Sequence, residues 1–454
     1  MSARADVVTP RAEVRTWLSW IFQSTLLSFP CSVSRHGSVM VPTCTAPLVP
    51  TRHSSHPVQR LLRRAVSIYD STYTSNSFLH GLANGSAGQV PRSKAIAQFI
   101  LSNQNRSTPA AGGKGSLAKQ ETPVFDPEQH LVFKETPDIL TMQDIGMAPD
   151  VGVSPVAVTQ PFPLFSQEAI RIMRSEIFKP EVTQNHSFSS NLAAAQLRGY
   201  ARDHAPFTRA AWNHPSTVAI VSKLAGIDLI PWSEYEIAHI NLCVKSEEQA
   251  ASELTVSKQP MHASPDDDKP IVGWHTDSYP FVCVLMMSDC TNMVGGETAL
   301  RTGSGEVLRV RGPTQGCAII LQGRYIMHQA LRALGAKERI TAVTSWRPRS
   351  AFVKDDTVLR TVRPVSDLNE LYHDFTEYRL EILEQRLRAA RQTMRACRAA
   401  GRLFDTAGHK AFLAESAAFL QHTDRELVAM DEVRRGCIET VDLPDVAVGG
   451  AAVC

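Results

Sequence analysis

Residues 271–287 constrain the fold of this chain more than any other stretch. They are rich in Val, Tyr, Phe and Trp, the composition of a strand, and near their start stands Trp274-His275-Thr276-Asp277. On a strand, residues two apart point to the same side, so His275 and Asp277 share a face. His328 follows 53 positions after His275, and Arg339 another 11 later. The chain between them reads as strands and turns. Gly295-Gly296-Glu297-Thr298 supplies a tight turn, and Ala318-Ile319-Ile320-Leu321 is a β-branched run before a short predicted strand at 324–328. Two imidazoles and one carboxylate are the ligand set that holds a non-haem ferrous ion by one face, leaving other positions open.

The tripeptide alone is not diagnostic, because it recurs as His422-Thr423-Asp424. That copy lies in a helical stretch, 419–427, where residues two apart do not share a face, and no histidine follows it. By contrast, Arg339-Ile340-Thr341 opens a second strand-like run at 342–346. Arg339 and Thr341 therefore fall on one face, and a guanidinium beside a hydroxyl is a fork that grips a carboxylate.

The full order, His-x-Asp, about 50 residues, His, about 10 residues, Arg-x-Ser/Thr, resembles the iron(II)- and 2-oxoglutarate-dependent dioxygenases, particularly those acting on small molecules. The resemblance covers roughly residues 230–350, with weaker similarity from about 160. It implies iron bound by His275, Asp277 and His328, and 2-oxoglutarate held through its distal carboxylate by Arg339 with Thr341. Molecular oxygen is the other co-substrate it implies. Relatives add a polar residue from an earlier strand, and residues 235–241 fit that place, with Tyr235, His239 and Asn241 on one face by the period of two. The implied fold is mainly β with helices: a double-stranded β-helix, or jelly roll, with flanking helices and a C-terminal helical hairpin. The implied activity is oxidation of a small organic substrate with release of succinate and carbon dioxide. With Asp277 present, hydroxylation is favoured over halogenation, while desaturation, ring formation and epoxidation stay open. Two other readings stand beside it: a protein or peptide hydroxylase or demethylase, and a non-catalytic scaffold on the same fold.

Composition excludes little but agrees. The chain has 454 residues, 43% apolar and 20% charged, which suits a soluble enzyme with a large core. A formal net charge of +2 gives no steering toward nucleic acid or anionic lipid. Nine cysteines, an odd number without a Cys-x-x-Cys, point to reduced thiols and an intracellular, cytoplasmic location. The first ~70 residues hold eight Arg and no Lys, and before Asp70 the acids are Asp6 and Glu13. That bias matches a mitochondrial transit peptide as well as a disordered leader. The apolar residues 17–29 are too few and too interrupted by Ser, Thr and Gln to span a bilayer.

The expected organisation is a disordered leader and linker over 1–125, a jelly-roll domain with N-terminal helices over 126–350, a helical region over 351–440 and a tail at 441–454. Ser166 is a candidate cap for a helix burying Ala169, Ile170, Ile172, Met173 and Ile177, and a second helix is expected over 215–225. A polar insertion at 245–269, containing Asp266-Asp267-Asp268, is a candidate lid or a disordered loop. Beyond Pro364, Leu368, Leu371, Phe375, Tyr378 and Ile382 form one apolar stripe, with Arg386, Arg388, Arg391 and Arg395 on the solvated face. A second helix is expected over 409–435, and the pair packs on the barrel or joins copies into a homo-oligomer.

Overall fold

The computed structural model describes residues 123–246, 248, 250–252, 272–291 and 293–438. The leader, most of the linker, most of the polar insertion and nearly all of the C-terminal tail lie outside the described residues.

Short strands build two antiparallel sheets and a small ribbon. The strands are β1 (Ile139–Thr141), β2 (Val156–Thr159), β3 (Phe162–Pro163), β4 (Ser187–Phe188), β5 (Gln196–Leu197), β6 (Leu229–Pro231), β7 (His239–Val244) and β8 (Val272–His275). They continue with β9 (Phe281–Met286), β10 (Val294–Gly295), β11 (Thr298–Arg301), β12 (Val307–Val310), β13 (Cys317–Leu321), β14 (His328–Ala330), β15 (Ala333–Leu334) and β16 (Glu338–Pro348). The larger sheet runs β1-β2-β13-β9-β16-β7-β5-β4, with β3 beside β13 and β6 beside β16. The smaller runs β12-β11-β14-β8, and β10 with β15 forms a two-stranded ribbon. Consecutive strands from β8 to β9 and from β12 through β13 to β14 therefore alternate between the sheets, which places the ligand-bearing β8 and β14 side by side.

The two faces of the larger sheet have different partners. Ile240, Cys283, Leu285, Ala318, Ile320, Ile340, Ala342 and Trp346 enter one hydrophobic core with the preceding helices. Their neighbours in sequence, His239 and Asn241, Val282 and Val284, Ile319 and Leu321, and Arg339 and Thr341, line a cavity on the opposite face. The helix Gln167–Ile177 is capped by Ser166, whose side chain accepts from the Ala169 amide, and it buries the five apolar residues expected of it. Glu176 of that helix is buried too and caps the next long element, Pro206–Asn213, by accepting from the Phe207 and Thr208 amides, each at 2.9 Å. The helix Pro215–Ala225 ends on Gly226, whose φ of 69° is the left-handed turn that releases a chain from a helix.

The C-terminal region forms two helices, Leu368–Ala399 and Thr406–Glu426. The expected stripe is buried, but two expectations need correction. Arg386 is not solvated: it is 8% exposed, and its Nε donates to the Ala351 carbonyl at 2.6 Å. The second helix starts three residues earlier than expected, where Asp405 caps it by accepting from the Gly408 amide at 2.9 Å, and it stops nine earlier, at Glu426. Among the described residues the cysteines are free, and no helix is long and apolar enough to cross a membrane.

Candidate metal centre

His275 ends β8, His328 begins β14, and the two are direct cross-strand partners, with ring centroids 4.4 Å apart. Asp277 leaves β8 just beyond His275 and is held by its own amide, which donates to the Gly323 carbonyl at 2.9 Å. The result is a tight triangle: His275 Nε2 lies 3.5 Å from Asp277 Oδ1, and His328 Nε2 lies 3.5 Å from Asp277 Oδ2. All three ligand atoms lie within 4.8 Å of one another. Metal bonds of ~2.1 Å at right angles would put donors ~3 Å apart, so the triangle is close to a coordination face.

Both rings are set by the same local device. His275 Nδ1 donates to the Gly273 carbonyl at 2.7 Å, and His328 Nδ1 donates to the Ile326 carbonyl at 2.9 Å. Each bond reaches back two residues and leaves the Nε2 lone pair pointing inward, the outer-shell arrangement common to metal-ligating histidines. Asp277 Oδ2 is buried with no hydrogen bond, since 3.5 Å is too long for one of ordinary strength. A buried carboxylate oxygen left without a donor beside two free imidazole nitrogens is an arrangement that a cation satisfies.

The charges agree. Burial pulls His328 down to about 4, against the Asp277 carboxylate, so this ring is neutral. Burial also acts against a charge on His275, but the Asp277 contact outweighs it and raises that group. Asp277 itself is lowered: burial would raise it, and His328 and His275 more than offset that. The carboxylate is ionised where the ligands meet.

Gly323 is needed for this packing. A Cβ at 323 would overlap the Asp277 carboxylate. Gly323→Ala is therefore expected to displace Asp277 and weaken divalent-metal affinity by about 10–100-fold, the range for losing a ligand's outer support. Isothermal titration with Co(II), alongside circular dichroism to confirm folding, measures it, and unchanged affinity in Gly323→Ala would refute the role.

Arg339 and Thr341 point into the same cavity from β16, as the alternation predicts. Arg339 is 8% exposed, its Nε is buried without a partner, and no carboxylate pairs with it among the described residues. Burial lowers its pKa, offset in part by the thiols of Cys243 and Cys290. A buried guanidinium facing a cavity without an anion is a site for one.

The earlier strand is only partly as expected. His239 and Asn241 line the cavity, but Tyr235 does not. It lies in a short 3-10 turn, Glu234–Glu236, and its hydroxyl accepts from the Asp367 amide at 2.7 Å. The period of two fails there because Ala238 adopts φ 54°, a left-handed residue that resets the alternation before β7 begins. Sequence reasoning missed a buried network beside Asn241. Arg198 pairs with Glu236 and donates to His239 Nδ1 at 2.9 Å, and the Tyr279 hydroxyl donates to Glu236 at 2.9 Å. Gln196 bridges His239 and Asn241 at 3.2 Å each. Burial and then the Arg198 charge hold His239 well below its ordinary pKa, so it is a neutral member of the cavity wall.

Fold and site thus define a cavity between two antiparallel sheets, with a His-Asp-His group and a separate buried cation. No family model matches this sequence, and no curated protein does. Solved structures, one of them of the 2OG-Fe(II) oxygenase family, match part of this chain. One is an oxidoreductase of that family from Burkholderia pseudomallei, 14% identical over 46% of this chain and 92% of its own, at a TM-score of 0.31. Another is a Pseudomonas putida prolyl-4-hydroxylase, 13% identical over 40% and 88%, at 0.25. A third is HygX from Streptomyces hygroscopicus with nickel and 2-oxoglutarate bound, 12% identical over 42% and 83%, at 0.29.

Proposed function

We propose that this protein is an Fe(II)- and 2-oxoglutarate-dependent dioxygenase on a double-stranded β-helix, oxidising a small organic substrate with release of succinate and carbon dioxide. The observation that carries the reading is one cavity holding both the convergent His275, Asp277 and His328 atoms and the buried Arg339 guanidinium, whose Nε has no partner among the described residues. Three protein ligands leave coordination positions for a 2-oxo acid and for oxygen, and the iron supplies redox chemistry that side chains lack.

The residues then have separate tasks. His275, Asp277 and His328 bind the metal, with Gly273, Ile326 and Gly323 carbonyls fixing their orientation. Arg339 and Thr341 take the distal carboxylate of 2-oxoglutarate, and Asn241 offers a polar group from β7. Val282, Val284, Ile319 and Leu321 make the wall apolar and exclude water. Hydroxylation is the favoured outcome because the carboxylate ligand is retained.

Anaerobic titration of the purified protein with Fe(II) and 2-oxoglutarate tests this reading. The weak visible charge-transfer band of a chelated keto acid is expected only when both are present. Folded protein that gives no band would favour the non-catalytic scaffold instead. If the band forms, peptides that stimulate succinate release where small molecules do not would move the substrate class to proteins.

A further inference from the structure

The C-terminal hairpin carries an apolar surface that the active-site cavity does not use. No residue of the helix Leu368–Ala399 beyond Arg386 is buried. Leu380, Leu387 and Met394 recur every seven residues along it and are 54, 47 and 40% exposed. On the second helix Leu413 and Leu420, again seven apart, are 61 and 45% exposed. Leu387, Met394, Phe412 and Leu413 line a shallow groove between the two helices. A seven-residue apolar repeat is the spacing of a coiled-coil seam, which one hairpin alone leaves uncovered.

The charges beside the stripe choose the occupant. Glu377, Glu381 and Glu384 precede Leu387 along the helix, and Arg388, Arg391, Arg395 and Arg398 follow it; all seven are exposed. Within the chain the only ion pair formed among these seven described residues is Glu384 with Arg388, at 2.6 Å. A parallel neighbour with the same sequence would set acidic half against acidic half. An antiparallel copy, related by a two-fold axis near Leu387, sets acidic against basic. In heptad terms Glu377, Glu384, Arg391 and Arg398 occupy one equivalent flanking position, the kind that selects partner and orientation.

We propose that this hairpin is a self-association surface, on which a second copy of the chain docks antiparallel to give a four-helix bundle. Leu387 packs near the axis, Leu380 lies toward Met394 of the second copy, and Glu384 and Glu377 face its Arg391 and Arg398. The contact is isologous, so every pair occurs twice and the assembly closes as a dimer.

Sedimentation velocity on the full chain at micromolar concentration tests this, with circular dichroism as a folding control. The native chain is expected to sediment as a dimer and Leu387→Asp as a folded monomer. Arg391→Glu replaces two attractive contacts by repulsive ones and is expected to weaken the dimer by about tenfold or more. Glu384→Arg combined with Arg391→Glu exchanges the signs and is expected to recover most of the loss at low salt. A native chain that stays monomeric overturns the proposal. So does a dimer indifferent to Leu387→Asp, or a double variant no tighter than Arg391→Glu alone.

Discussion

His328→Ala is expected to lose Fe(II) affinity by more than about 100-fold, beyond what loss of outer support alone costs, and to abolish substrate oxidation. The side chain makes one hydrogen bond outside the ligand triangle, to the Ile326 carbonyl, so the fold has little to lose. His275→Ala and Asp277→Ala are expected to behave alike, since each removes one corner of the same face. His422→Ala is the matched control. That histidine sits in the other His-x-Asp tripeptide, but on a helix, with its Nε2 bonded to the Thr357 carbonyl at 2.7 Å. It should leave metal affinity unchanged. Anaerobic titration calorimetry on the four variants separates them, and native affinity in His328→Ala would remove the metal assignment.

The contrast between those two tripeptides shows what was legible in the sequence. Strand composition around His275 was enough to place it on β8, but Asp277 lies just past the end of that strand and is positioned by its bond to Gly323; the alternation did put Arg339 and Thr341 into the cavity. Alternation is a local property, and it stops being informative where the backbone breaks it. Tyr235 was assigned to the cavity on a period that Ala238 interrupts with a positive φ. The Arg198, Glu236 and Tyr279 network was invisible for a different reason: its contacts join residues 38 and 43 apart, a separation with no periodic signature. Arg386 failed in the opposite sense. A cation beside an apolar stripe reads as solvated, yet its neighbours in the fold are the Ala351 and Val353 carbonyls, which the helix pattern does not reveal.

Arg339→Met is expected to raise the 2-oxoglutarate requirement by about 100-fold while leaving Fe(II) affinity near native. The figure follows from losing a charge-assisted, two-pronged grip worth about 3 kcal/mol, at 1.4 kcal/mol per decade. The same substitution carries a second expected effect of opposite sign. In the protein without co-substrate, the Arg339 guanidinium is buried with its Nε unpaired, an arrangement that burial alone makes unfavourable. Replacing such a group by an apolar one of similar length is expected to stabilise the unliganded fold, by up to about 4 kcal/mol, the upper end seen when buried ion pairs are replaced by apolar groups. Denaturant melts with and without 2-oxoglutarate read both effects at once. Native protein should gain stability on adding the co-substrate with a divalent metal, and Arg339→Met should start higher and gain little. A structural arginine would behave differently: its removal would lower stability and leave the co-substrate requirement alone. The pattern expected of a co-substrate arginine is therefore a cost to the unliganded fold that is recovered when a carboxylate enters the cavity.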